Sequence, residues 1–213
     1  MRRDLKATFA PRYQEAGYRR VIGLLPQPMG VDALSRPPRP SASRSSAEAR
    51  YRETRRLAFQ QAQEELAYAG IGVDLRSIDA AAMEAFSAWP PRRVAWPWPD
   101  LAADWRKGHP DRFDLAVWSD GTLCALAMGR PAPKAPHMSL HYMEANPDPV
   151  NPLRRRVAAV VVTSLQAYAM VLGKRELRLI DPLPAVVPFY CSTRMGFTLV
   201  TPRGEAPYCR RSI

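Results

Sequence analysis

Two short stretches hold the side chains best suited to chemistry. His141-Tyr142-Met143-Glu144-Ala145 puts an imidazole and a carboxylate on one segment. Either group can take a proton from a nucleophile, the imidazole because it titrates near neutrality and the carboxylate directly or through water. The second stretch is Arg154-Arg155-Arg156, at the head of the apolar run "VAAVVVTSLQAYAMVLG". A helix starting there offers free backbone N–H groups and the positive end of its dipole, which suit an anion. Arginines at a helix start oppose that dipole, so an anion accounts for them better than bare solvent does. A third feature is Tyr190, placed six residues before Gly196-Phe197 in "VVPFYCSTRMGFTLV".

These groups need elements to position them. "RFDLAVWSDGTLCALAMGR" reads as two strands joined by Asp120-Gly121, a dipeptide that supplies the positive φ angles of a tight hairpin. "HMSLHYMEANP" is a third strand, and alternation along it places His141 and Met143 on one face and Tyr142 and Glu144 on the other. "NPLRRRVAAVVVTSLQAYAMVLG" is apolar on nearly every side and ends at Gly173, which predicts a helix buried between two layers. "ELRLIDPL" and "GFTLV" follow as short strands, with "PYCRRSI" as a final edge. The order predicts an α/β fold, a mixed central sheet with crossover helices.

Upstream, residues 47–111 read as helices packing on that sheet. Ser45 and Glu48 have capping-box spacing, and Tyr51, Ala58, Ala62, Leu66 and Ala69 form an apolar stripe that Gly70 ends. A second helix covers "IDAAAMEAFSAW" and a third "DLAADWRKG"; the tract "PPRRVAWPWPDL" between them is irregular because proline removes donors. Its tryptophans serve to pack a loop onto a core or to stack a ligand. Residues 1–46 read as a basic arm and a Pro/Ser/Arg linker, "SRPPRPSASRSS".

Composition narrows the function. Residues 1–56 carry 13 Arg and Lys against 5 Asp and Glu, most of the net charge of +11. That bias favours an anionic partner, with nucleic acid through residues 36–56 as the candidate; a GC-rich coding bias explains the excess of arginine over lysine equally well. No run of 18 apolar residues and no secretory h-region occurs, so a soluble, cytoplasmic protein is expected. Cys124, Cys191 and Cys209 are far apart, without a C-x-x-C pair or clustered histidines, so neither a disulfide framework nor a metal site is expected.

The element order, with Ala169-x-x-x-Gly173 ending the long helix and Tyr190 and Gly196-Phe197 beyond it, resembles the GNAT superfamily of acyl-CoA-dependent N-acyltransferases. The resemblance covers residues 112–213. It implies acetyl-CoA or another acyl-CoA as cofactor and an amine acceptor, which the sequence does not identify; it leaves the oligomeric state open. It further implies that Tyr142, Met143 and Ala145 line the pantetheine arm and that Arg154, Arg155, Arg156, Val157 and Ala158 hold its phosphates. Glu144 or His141 would act as base, and Tyr190 would protonate the leaving thiolate. Two departures stand out. The family's loop, Q/R-x-x-G-x-G/A, is met here by Leu153, Arg156 and Ala158, and its tyrosine usually stands four residues before the glycine, where this chain has Ser192. A different reading keeps the fold as a scaffold for nucleic-acid binding by the basic arm.

Overall fold

A computed structural model describes residues 42–213, apart from Arg93 and Ala95. The basic arm and most of the linker lie outside the described residues. In chain order the elements are α1 (Ala42–Tyr68), β1 (Asp74–Arg76), α2 (Ala80–Ser87), α3 (Trp98–Gly108), β2 (Phe113–Ser119), β3 (Thr122–Pro131), β4 (His137–Ala145), α4 (Val157–Val171), β5 (Glu176–Ile180), a 3-10 turn (Pro184–Val186), α5 (Val187–Tyr190), β6 (Thr198–Val200) and β7 (Tyr208–Ser212).

The strands form one mixed seven-stranded sheet in the order β1-β2-β3-β4-β5-β7-β6. All neighbours are antiparallel except β4 and β5, which the crossover helix α4 makes parallel. The hairpin between β2 and β3 turns at Asp120 and Gly121, with φ angles of 49° and 72°. Two details differ from the sequence reading. Residues 74–76 add an edge strand to a region expected to be helical, and the C-terminal strand is interior, so that β6 forms the edge.

The sheet separates two cores. On one face α1 and α4 pack together, with Ala58, Phe59, Ala62 and Leu66 of α1 meeting Val160, Val161, Leu165 and Tyr168 of α4. Each fully buried aliphatic or phenyl side chain of this kind contributes about 1.5–3 kcal/mol. Both helices close the same way: Ile71 N–H donates to Leu66 O and Lys174 N–H to Ala169 O, across Gly70 and Gly173 at positive φ. The α1 stripe is shifted from its predicted position. Arg55 replaces Tyr51 as a buried member, and Ala69 is exposed.

On the opposite face α2 and α3 cover Ala116, Leu126 and Met128, with Trp98 fully buried. Asp79 caps α2 by accepting from the Ala82 N–H.

Glu48 does not complete a capping box, because α1 begins at Ala42 and carries Glu48 inward to a buried ionic cluster. Arg55, 1% exposed, reaches Glu48 at 2.9 Å and Asp114 at 3.2 Å and donates to the carbonyls of Pro110 and Arg112. Arg112 bonds the same two carboxylates. The cluster occupies the place where β1 stops opposite Ala116, on the part of the β2 edge that no described strand covers. Burial would raise the Glu48 carboxyl, yet Arg112 and Arg55 hold it below its ordinary value.

Gly129 fixes the course of β4. A Cβ at this position would overlap the Ser139 carbonyl oxygen. Replacing Gly129 with Ala is therefore expected to lower stability by about 2 kcal/mol or more, because the clash is with backbone. Urea denaturation of the two chains checks this, and an unchanged midpoint would mean that the strands separate freely there.

Candidate active site

The register between β3 and β4 shifts beside Gly129: Met128 pairs with Tyr142 and Gly129 with Leu140, leaving His141 as an extra residue. A bulge of this kind bends its strand and re-aims side chains. It corrects the predicted alternation. His141 does not share a face with Met143; its ring lies 5.3 Å from that of Trp105 on α3, and the Tyr142 ring lies 5.8 Å from the same tryptophan. Met143 packs into the core under α4.

The parallel pairing of β4 with β5 stops at Leu140 and Leu179. Beyond Ile180 the chain turns away at Asp181, with φ 49°, and Pro182 has no N–H to extend the ladder. Among the described residues, His141–Ala145 therefore continues β4 without a strand on its β5 side. The sheet is split there between β4 and β5.

The segment after β4 leads from this split to the start of α4. Asn146 and Asn151 tie it to the hairpin by donating to the carbonyls of Leu123 and Cys124. Asn151 also accepts from the Leu153 N–H. The chain then turns through Arg155 at φ 67°, a left-handed conformation that non-glycine residues adopt rarely. The left-handed residue is thus Arg155, one position before Arg156. Val157 N–H donates to Leu153 O and Val160 N–H to Arg156 O. No backbone acceptor serves the N–H groups of Arg155, Ala158 or Ala159 among the described residues. Arg154, Arg155 and Arg156 are all exposed around them. Three free amides, the positive end of a helix dipole and three exposed arginines thus follow one another in the chain, groups of the kind that hold a diphosphate.

The ionisable candidates sit apart. Glu144 is 9% exposed, and its Oε2 accepts from Arg92 Nη1 at 2.9 Å and Trp98 Nε1 at 2.7 Å. Burial raises its pKa against the pull of those two donors. Arg92 stacks on Phe86 at 4.5 Å, so the carboxylate anchors the Pro/Trp tract to β4. His141 is held neutral: burial, then the charge of Arg130, lowers its pKa to about 4. Tyr190 lies on the other face, in the core that includes Leu140 and Leu179, with its ring 6.2 Å from Phe197. Burial, helped by Cys209, pushes its phenol up to about 12. The tryptophans Trp96, Trp98 and Trp105 pack α3 and its approach onto β4.

Sequence reasoning singled out Trp98 and Trp105 for packing or stacking, but it missed Arg92 as a partner of Glu144, and it missed Gly129. A glycine inside an apolar strand was the available signal for the bulge. The basic face of α1 is also smaller than its arginine count suggested, since Arg55 is buried and Arg56 is bonded to Glu53.

No family model matches the chain, and no curated protein matches it either. Among solved structures, it is similar to a PaiA N-acetyltransferase from Thermoplasma acidophilum in complex with coenzyme A: 14% identity, TM-score 0.47, 67% of this chain and 100% of that one. It is also similar to the GNAT domain of S. lividans PAT: 19% identity, TM-score 0.48, 66% of this chain and 90% of that one. A third such structure is the ribosomal-protein-S18-alanine N-acetyltransferase from Escherichia coli: 15% identity, TM-score 0.45, 66% of this chain and 92% of that one.

The state of His141 has a measurable consequence. Between its folded pKa of about 4 and the ordinary value of 6.5, the unfolded chain binds a proton that the folded chain does not. Its contribution to stability is thus full above pH 6.5 and is lost as pH falls toward 4, by about 1–3 kcal/mol. His109 and His137 are shifted in the same direction, so the comparison must be with His141→Asn. Urea unfolding at a series of pH values should show a shallower slope for the variant; equal slopes would mean that the imidazole titrates normally.

Proposed function

We propose that the chain is an N-acyltransferase that uses acetyl-CoA or another acyl-CoA. The observation that carries the reading is the split between β4 and β5 leading directly to the arginine-ringed start of α4. A long ligand with a diphosphate at one end fits such a pair of features. Its pantetheine arm would pair along the open edge of Tyr142, Met143 and Ala145, and its diphosphate would take the free amides of Arg155, Ala158 and Ala159. Arg154, Arg155 and Arg156 would supply charge from outside. When bound, the cofactor supplies a thioester carbonyl open to attack.

The residues of this chain divide the remaining tasks. Acyl transfer needs a neutral amine, a stabilised oxyanion and a donor for the departing sulfur. His141 is uncharged through the physiological range, so it can accept a hydrogen bond from the incoming ammonium or amine. Glu144 is already committed to Arg92 and Trp98, which favours an indirect role in holding the α3 side of the cleft. Tyr190, with its raised pKa, keeps its proton and would act as a hydrogen-bond donor to the leaving thiolate. The known relatives in fold include acetyltransferases of quite different acceptors, so the acceptor is a matter for experiment.

The first test is a thermal shift with CoA and acetyl-CoA, on the wild-type chain and on Arg154→Glu/Arg155→Glu/Arg156→Glu. At about a hundred times the dissociation constant the ligand should add about 2.7 kcal/mol of stability, a rise of a few degrees, and the triple variant should lose it. No shift for wild type with either ligand rejects the cofactor. A second test concerns Tyr190. With the amine that releases thiol fastest from acetyl-CoA, Tyr190→Phe should lower kcat about a hundredfold while leaving KM and the thermal midpoint near wild type. Unchanged kcat would reduce Tyr190 to a packing residue.

A further inference from the structure

A cavity of about 520 Å³ opens between α1, the segment after β1, α3 and the start of β2. Five arginines line it, Arg44, Arg52, Arg55, Arg106 and Arg112, against two acidic residues, Glu48 and Asp114. Arg55 and Arg112 are consumed by those carboxylates. Among the described residues Arg44, Arg52 and Arg106 have no carboxylate partner, and Arg106 makes one bond, to the Ile78 carbonyl. Among the described residues, three exposed arginines thus share one concave space with no carboxylate left to pair them. Guanidiniums so gathered repel one another, and a bound anion removes that cost.

The site is distinct from the start of α4. The α4 loop is tied to Leu123 and Cys124, whereas Asp114 at the cavity pairs with Met128. Four residues of strand separate Cys124 from Met128, about 13 Å along β3, and the cavity lies a further strand outward. Its ionic floor is rigid, because each carboxylate is held by both Arg55 and Arg112.

We propose that this cavity binds a small molecule carrying a phosphoryl or diphosphoryl group. The arginine fork matches phosphate oxygens in pairs, and several unpartnered forks match a group with more than one negative charge. The volume is that of a ligand pocket, with room for a body beyond the phosphate. The inference does not depend on the acyltransferase reading.

Isothermal titration with inorganic pyrophosphate tests it, in a buffer free of phosphate and sulfate. The full chain carrying Arg154→Ala/Arg155→Ala/Arg156→Ala serves as background, so that the α4 site makes no contribution. One site per chain is expected there, and adding Arg52→Ala/Arg106→Ala should weaken it about tenfold or more. Neither of these two arginines belongs to the buried cluster, so an unchanged circular dichroism spectrum and thermal midpoint should accompany the loss. No binding in the background, or equal binding after the two substitutions, overturns the proposal. So does a short oligothymidylate that displaces the pyrophosphate with higher affinity, since the phosphate would then come from nucleic acid. Failure of CoA to bind would leave this result untouched.

Discussion

The layout of the split sheet depends on one close approach between two strands. The Ser139 carbonyl oxygen lies against the backbone of residue 129 with no room for a Cβ, and β4 responds by taking one extra residue at His141. Bulges sharpen twist and bend the strand that carries them. Below the bulge β4 keeps its parallel ladder with β5; above it the two strands part. The same extra residue turns His141 toward Trp105 beside Tyr142 and sends Met143 into the other core. A single glycine therefore determines which side chains meet at the cleft and on which side of the sheet each one stands.

Buried charge in this protein is used for fastening. Asp114 and Glu144 lie next to the ends of their strands and Glu48 lies inside α1, and each receives more than one donor. Breaking a buried pair by removing one partner is costly, which makes such groups effective clamps even where their net contribution to stability is small. Glu144 holds the proline-rich tract against β4, and the Arg55 cluster holds α1 to the uncovered edge of β2. The arginines that no carboxylate holds at the start of α4 and in the α1 cavity are exposed. At α4 they surround free amides, and at the α1 cavity they surround empty space lined by fixed acids.

Much of the fold was legible because it rests on local rules. Asp120-Gly121 had to turn, since both residues adopt positive φ; Gly70 and Gly173 had to end their helices for the same reason. The evenly apolar surface of α4 required two packing partners, and it has the sheet on one side and α1 on the other. The candidate site was legible only as a list of residues. His141, Glu144 and Tyr190 were chosen by chemical type, yet two of them face α3 and the third lies in the core on the other side of the sheet.

The sequence by itself determined the strand and helix alternation, the hairpin, the concentration of arginine before α4 and the presence of a tyrosine near the last crossover. Each follows from interactions between residues a few positions apart, which periodicity and turn chemistry expose. Tertiary structure alone decided the rest: the bulge that reversed the facing of His141, the left-handed Arg155 in place of a glycine, the order of the last two strands, and the division of arginines between buried clamp and open cavity. Those outcomes depend on what lies across the sheet or under a helix. Arg52 and Arg55 illustrate the reason: they are chemically identical and three residues apart, but Arg55 meets a carboxylate and two carbonyls brought from more than fifty residues away and is buried, whereas Arg52 stays exposed.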